Sequence, residues 1–301
     1  MINFALIICC VSLGMLIARL KLVPNDAYKS INIWLIYVAL PTLALRFVPD
    51  IQWGMSSLIP SLSPLIMWCG AFVFITIYAK INKGIDKYTK TALLISCGIC
   101  NSAFLGFPMV SAFFGENNLH YAIVFDQMTF IMFSTLVVSV ILKTHNNKNV
   151  TPNILLKKIF SFPPFIATLT ALVLSSFYDY SIVNPFLDKI LATLSPLALF
   201  SIGLQLRFDN IKSELKNLSF GLLYKLIIGP AIILIFVLLL DERTILGKIT
   251  IFQGSMPAHI TSSLLAIQYG INPRLCGMFV GVGIVVCLVT SSAWYLVLQF
   301  L

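Results

Sequence analysis

The chain has 301 residues, of which 59% are hydrophobic and only 10% charged, with a mean hydropathy of +0.96. A water-soluble domain carries charge on roughly a quarter of its residues, so this composition excludes one and makes lipid the solvent for most of the chain. The net charge of +9 would point to nucleic acid in a soluble protein. Here the basic residues fall in short connections between apolar runs, which is a signal of membrane topology, and no nucleic-acid partner is expected.

Taken in chain order, ten apolar runs are long enough to span: 2–19, 29–47, 58–79, 90–114, 119–142, 162–178, 184–205, 218–240, 245–269 and 274–300. The first has no basic residue before it, so it reads as a span rather than a secretory leader. The third, sixth and eighth read as plain apolar segments. The second, fourth, seventh and ninth carry Pro41, Pro108, Pro196 and Pro257. The seven cysteines lie within apolar segments and read as packing residues. Cys97 and Cys100 form a CxxC, but no second ligand pair accompanies it, so neither zinc nor any other metal or cofactor is expected.

Lys and Arg are distributed unevenly between alternate connections. Fifteen lie on the side that includes the linker 143–161, four lie on the other, and Lys225 is inside the eighth run. The basic side is read as cytoplasmic, which places both termini away from the cytoplasm, in the inner (plasma) membrane.

Special residues recur at one offset. Pro41 and Pro196, Gly115 and Gly270, and Asn117 and Asn272 are each 155 residues apart. A repeat of five spans must enter the membrane inverted, an architecture common in secondary transporters. The expected fold is therefore an all-α polytopic membrane protein, a single membrane domain 1–301. Repeat one is 1–142, a basic connection is 143–161, and repeat two is 162–301.

The fourth span of each repeat is interrupted. In the first it reads CGICNSAFLGFPMVSAFFG, with Asn101 and Ser102 before Gly106 and Pro108. In the second it reads FQGSMPAHITSSLLAIQYG, with Gln253 and Ser255 before Pro257. Proline in a helix interior costs about 3 kcal/mol, and irregular backbone at membrane depth is tolerated where it lines a protein cavity. Two half-helices, each with proline near the start of its second part, would offer free N–H groups and positive dipole ends to an anion. Two proline kinks that only shape helix packing are the plainer alternative.

A few polar residues lie inside spans. Asp126 is the one acidic residue well inside a run; a buried carboxylate costs at least ~2.5 kcal/mol on insertion scales, so it either couples an ion or pairs with a polar neighbour. Lys225 either snorkels to the interface or serves as a counter-charge to Asp126 or to an anion. His259 reads as an ordinary hydrogen-bonded histidine or as a second proton-coupling group. Thr261, Ser262 and Ser263 either face substrate or bond back to their own helix.

At these residues the chain resembles the auxin efflux carrier family, also called the membrane transport protein family, which includes plant auxin exporters and bacterial malonate and malate permeases. NSAFLGFP is similar to the family's Asn-x-x-x-x-Gly-x-Pro element. DQMTF resembles the glutamine-bearing fifth span, LSPLALFSIGLQL the seventh, and QGSMPAHITSSLLAIQYGINP the ninth with its following turn. The resemblance implies ten spans in two inverted repeats, a fold shared with bile acid:sodium symporters. It implies a scaffold of spans 1, 2, 6 and 7, often joined as a homodimer in the family, and a transport unit of spans 3–5 and 8–10. Substrate would bind at the crossing of spans 4 and 9. Asn101 and Gln127 match pocket residues, and Pro108 and Pro257 match crossover prolines. Bacterial members often carry Asn where this chain has Thr261, and the connection between halves is short, unlike the long loop of many plant members.

The expectation is a secondary carrier for a small organic anion, a mono- or dicarboxylate such as malonate or malate, coupled to H⁺ or Na⁺, with elevator-like alternating access. The expected substrate contacts are Asn101, Ser102, Gln127, Gln253, Ser255, His259 and Thr261; the crossover is Gly106, Pro108 and Pro257; the coupling groups are Asp126 and Lys225. A sodium-coupled symporter of an amphipathic anion and an exporter of an auxin-like indole carboxylate are the alternatives. No P-loop, HExxH, Gly-x-Ser-x-Gly or intramembrane Gly-x-Gly-Asp occurs, so no enzyme is expected.

Overall fold

The computed structural model describes residues 2–51, 54–145, 160–206 and 214–301, without the side chains of 2–4. Most of the linker 143–161 and the basic residues Lys148, Lys157, Lys158, Arg207 and Lys212 lie outside the described residues. Among the described residues the secondary structure is helical, and no strand occurs.

Every apolar run contains helix. Among the described residues six helices are long and apolar enough to cross a bilayer: α2 (Tyr28–Asp50), α3 (Met55–Ile81), α6 (Glu116–Thr144), α8 (Ser181–Gln205), α9 (Leu215–Leu239) and α12 (Pro273–Leu298). Two shorter apolar helices are α1 (Ile2–Arg19) and α7 (Pro163–Phe177). The fourth run is divided into α4 (Lys87–Gly98) and α5 (Ser102–Phe114), and the ninth into α10 (Ile245–Gly254) and α11 (Ile260–Gln268). Large apolar side chains such as Leu13 and Leu16 on α1, Phe72 and Ile77 on α3 and Val289 and Leu296 on α12 face outward. In water these would be aggregation surfaces; they suit a protein whose solvent is hydrocarbon.

The helices fall into two compact units. The first is Met1–Trp53, Ala103–Ile123 and Leu156–Leu206, and the second is Gly54–Ser102, Val124–Leu155 and Arg207–Leu301. The first unit holds α1, α2, α7 and α8, the spans that the family resemblance groups as scaffold, together with most of α5.

Within the first unit α1 runs along the second half of α8. The approach is close because two glycines face each other: a Cβ on Gly203 would lie 2.3 Å from the Val11 carbonyl oxygen, and one on Gly14 would lie 2.4 Å from that of Phe200. Small residues at such a crossing let helix backbones touch where no hydrophobic effect drives them together. Polar side chains bind across the same unit. Trp34 Nε1 donates to Thr193 Oγ1 at 2.9 Å, Ser201 Oγ to Asn32 Oδ1 at 2.6 Å, and Tyr180 Oη to the Leu45 carbonyl at 2.9 Å.

Within the second unit α3 packs on α4, α9 and α10, and α12 packs on α4, α9 and α11. Phe220 of α9 stacks on Phe74 and Tyr78 of α3, with centroids 4.5 and 3.9 Å away. Asn272 caps α12 by accepting the Leu275 N–H at 3.1 Å. Its amide donates to Thr89 Oγ1 at 2.8 Å and to Glu214 Oε1 at 3.1 Å, which ties together the starts of α12, α4 and α9.

Two features bear on the repeat. Gly115 (φ 89°) and Gly270 (φ 66°) are the glycines with positive φ among the described residues, and each ends the second half of an interrupted run. A left-handed residue after a helix terminus is where glycine is favoured. The second feature concerns proline. A π-helical turn ends two residues before Pro41 (Leu35–Ala39), Pro108 (Ser102–Gly106) and Pro230 (Tyr224–Ile228). A proline ring clashes with the carbonyl one turn back; a π turn widens the helix there and absorbs the misfit. The third and eighth runs are thus less plain than their hydropathy implies, with Pro64 inside α3 and a π turn before Pro230 in α9.

Candidate functional site

The interrupted runs meet in the second unit. α4 ends at Gly98, and Ile99 is extended at φ −119°, ψ 134°. α10 ends at Gly254, and the chain stays non-helical until α11 begins at Ile260. The two gaps pair antiparallel, with Cys100 opposite Ala258. The Asn101 N–H donates to the Pro257 carbonyl at 2.9 Å, and the His259 N–H to the Ile99 carbonyl at 3.3 Å. Each broken segment thereby satisfies main-chain groups that the other has lost, the condition for irregular backbone inside a membrane.

The break in the ninth run contains Pro257 as expected. The break in the fourth run lies at Ile99–Asn101, ahead of the expected Gly106 and Pro108. Gly106 is helical (φ −61°, ψ −48°), and Pro108 sits in the first turn of the α-helical part of α5. The π turn Ser102–Gly106 accommodates Pro108 without breaking the helix, so Gly106 and Pro108 belong to the first unit and not to the crossing.

Around the crossing are polar side chains with too few partners. Asn101 is fully buried, and neither its Oδ1 nor its Nδ2 has a protein partner. Gln253, also fully buried, donates weakly to the Ser102 carbonyl at 3.4 Å and leaves its Oε1 unpaired. On α6, next to Asp126, Gln127 Oε1 is also buried and unpaired. An unsatisfied buried polar group costs about 1–3 kcal/mol, so such a cluster is maintained where something else supplies the missing partners.

The other expected residues have partners. Ser102 Oγ donates to Asp126 Oδ1 at 2.6 Å, so Asp126 has the structural partner of its plainer reading. Ser255 Oγ bonds back to the Phe252 carbonyl at 2.7 Å, and Ser263 Oγ to that of His259 at 3.1 Å. His259 Nδ1 caps α11, accepting the Ser262 N–H at 3.2 Å and pairing with Ser262 Oγ at 2.7 Å. A nitrogen that accepts a main-chain N–H cannot also hold a proton, so in the neutral ring the proton is on Nε2. This cap also occupies one of the helix-terminal donors expected to face an anion. Thr261 is half-buried in the first turn of α11.

Lys225 departs from the snorkelling expectation: it is 0% exposed, on the π turn of α9. It forms no ion pair with Asp126 either. Its Nζ lies 3.0 Å from Cys100 Sγ and 3.9 Å from Met67 Sδ. Cys100 Sγ in turn lies 3.4 Å from Met67 Sδ. Sequence reasoning passed over Met67 and took Cys100 for a packing residue, because a thioether and a thiol in an apolar run carry no polar signal. Cys97 points elsewhere, to the Gly221 carbonyl at 3.4 Å. All seven thiols are free; Cys9 and Cys69 are exposed rather than packed.

The first unit has a cavity of about 310 Å³ near Arg46, lined also by Asp50, Tyr178, Asp179 and Asn184. Arg46 is held there by Asp50 at 3.3 Å and Asp188 at 3.0 Å.

An all-helical, multi-pass membrane protein with interrupted helices crossing among buried amides is built as a membrane transporter. The chain belongs to the membrane transport protein family, a model of which matches residues 1–295. An uncharacterized transporter of Methanothermobacter thermautotrophicus is 26% identical over 294 residues, 96% of this chain and 95% of its own length. An uncharacterized transporter of Methanocaldococcus jannaschii is 25% identical over 275 residues, 88% of each chain. Auxin efflux carrier component 8 of Arabidopsis thaliana is 26% identical over 160 residues, 50% of this chain and 44% of its own. The family is one of membrane transporters, which is not an enzyme class.

Proposed function

We propose that this transporter is a secondary carrier of a small organic anion, a mono- or dicarboxylate such as malonate or malate, bound at the crossing of α4 and α10. The observation that carries the reading is Asn101, whose fully buried amide offers two donors and an acceptor to no protein group. A carboxylate takes amide N–H donors, while the Gln253 and Gln127 oxygens suit a hydroxyl or a protonated carboxyl. Asn101, Ser102, Gln253 and Gln127 are the proposed substrate contacts.

The crossing is closed off, with Asn101, Ser102, Gln253 and Ser255 all buried. Transport therefore requires a conformational change. We take it to be elevator-like, with the unit that carries the crossing moving. Ten spans in two inverted repeats, both termini outside the cytoplasm, an inner-membrane location and a scaffold homodimer complete the proposal. The paired left-handed glycines and the basic bias of the connections support it. Asp126 is the proposed coupling group, for H⁺ or Na⁺, since Ser102 is the one hydrogen-bond donor it has among the described residues. The plant relative is named for auxin efflux, and an auxin-like indole carboxylate is accordingly the second substrate reading.

Uptake of labelled malonate, malate and indole-3-acetate into vesicles containing the pure protein, under an imposed pH or sodium gradient, tests this. Saturable flux of a carboxylate, reduced by ~10- to 100-fold in Asn101→Ala, is the expected result, the loss of one or two buried hydrogen bonds. Asp126→Asn should still exchange substrate across the membrane yet fail to accumulate it. Flux unaffected by Asn101→Ala would remove the crossing as the site.

A further inference from the structure

Lys225 is a charge that the protein alone leaves unanswered. Its ammonium has three N–H donors, and its contacts are a thiol and a thioether, the weakest acceptors among the side chains. Among the described residues no carboxylate lies within ion-pair distance of it, and Asp126 is turned to Ser102. An ammonium buried in low dielectric without a counter-charge is strongly disfavoured. Solvation by water is closed to it at 0% exposure.

Its position is informative. Lys225 contacts Cys100, the central residue of the crossing, and Cys100 is followed by Asn101 with its two unpaired amide atoms. Lys225 through its contact with Cys100, and Asn101 as the next residue of the same break, bring to the crossing the two elements a carboxylate needs: charge and directed hydrogen bonds. We propose that Lys225 is the specificity-determining charge of the crossing, which selects an anion over a neutral isostere. The proposal rests on the crossing being the substrate site. Met67 and Cys100 hold the ammonium without neutralising it, so its field stays available to the ligand. A carboxylate partner in their place would form a closed ion pair and remove the selection.

The test uses the full-length protein in vesicles and compares malonate with malonamide, and indole-3-acetate with indole-3-acetamide, as competitors of labelled carboxylate uptake. Wild type should favour the carboxylate by roughly 100-fold, the size of effect expected when one member of a desolvated charge pair is removed. Lys225→Met, an apolar side chain suited to the sulfur-lined surroundings, should bring the two within about threefold of each other by the same reasoning. Lys225→Arg should keep the preference. Melting temperature and size-exclusion elution verify folding, and Lys225→Gln takes the place of the Met variant if the latter does not fold. A folded neutral variant that still prefers the carboxylate as wild type does overturns the role of Lys225. Carboxylate uptake that survives Asn101→Ala, or is missing in wild type, instead removes the crossing as the anion site, and the Lys225 proposal falls with it.

Discussion

Arg46 in the first unit and Lys225 in the second are both basic residues set among apolar helices, and their surroundings are opposite. Arg46 is one-fifth exposed and pinned between Asp50 and Asp188. Lys225 is completely buried and touches sulfur. The same contrast runs through the neutral polar groups. In the first unit Trp34, Asn32, Ser201 and Tyr180 are tied to partners, and Gln205 Oε1 is the exception. Around the crossing Asn101 and Gln253 keep unpaired atoms, as do Thr76, Ser96 and Gln127 in the same unit. A group that only holds helices together should be satisfied within the protein. Among the described residues Asn101 is the amide with neither its oxygen nor its nitrogen paired, capacity that the proposed substrate would use.

The contrast predicts that substitutions in the first unit act on folding and those at the crossing act on transport. The largest effect should come from Gly203→Leu. The added Cβ would meet the Val11 carbonyl oxygen at 2.3 Å and Gly14 Cα at 2.9 Å, both backbone atoms that cannot turn aside. Overpacking of this kind costs about 3 kcal/mol or more, a drop of roughly 10 °C in melting temperature. The expected outcome is failure to elute as a single folded species in size-exclusion chromatography. Normal folding would mean that α1 and α8 can separate, and that the first unit is not the rigid member.

Next in size is Asn101→Ala, where stability and function should move in opposite directions. The variant removes a buried amide that has no protein partner, so its melting temperature should hold or rise by a few degrees, equivalent to ~1 kcal/mol. Carboxylate flux should fall at the same time. A large loss of stability would show that Asn101 is satisfied within the fold, which would end the distinction between the units.

How far the residues announced this arrangement depends on the kind of signal. The long helices were readable because about 20 apolar residues in a row have one solution in lipid; α2 and α12 fall close to the runs 29–47 and 274–300. The break at Pro257 was readable for the same sort of reason. The break at Ile99–Asn101 was not. Pro108 suggested the wrong place, since a π turn absorbs a proline, as it also does before Pro41 and Pro230. The extended backbone at Ile99 is held by the break in the ninth run, and pairing across more than 150 residues leaves no local trace. Asn101 stood out as a candidate because an amide in an apolar run must be paired or used, and its side chain is buried with both polar atoms unpaired. Of the two readings open for Lys225, snorkelling fails because it depends on what surrounds the side chain, and hydropathy does not report that. His259 was half-legible: its hydrogen bonding was expected, its service as a helix cap was not.

The smallest effect should be that of Arg46→Ala, and it tests the first unit's side of the comparison. Arg46 makes two ion pairs, but Asp50 and Asp188 are 51% and 54% exposed, so water answers either carboxylate once the guanidinium is gone. Exposed pairs of this kind contribute about 1 kcal/mol or less, a shift of roughly 2–4 °C for a chain of this size. Raising the salt concentration should shrink even that difference, because wild type then loses the same attraction. Carboxylate flux should match wild type. The alternative result is the more instructive one: flux lost with melting unchanged would make Arg46 a substrate contact in the cavity it lines with Asp50 and Tyr178. Anion recognition would then be shared between a charge already paired and one left open, and pairing would cease to mark which unit does the binding.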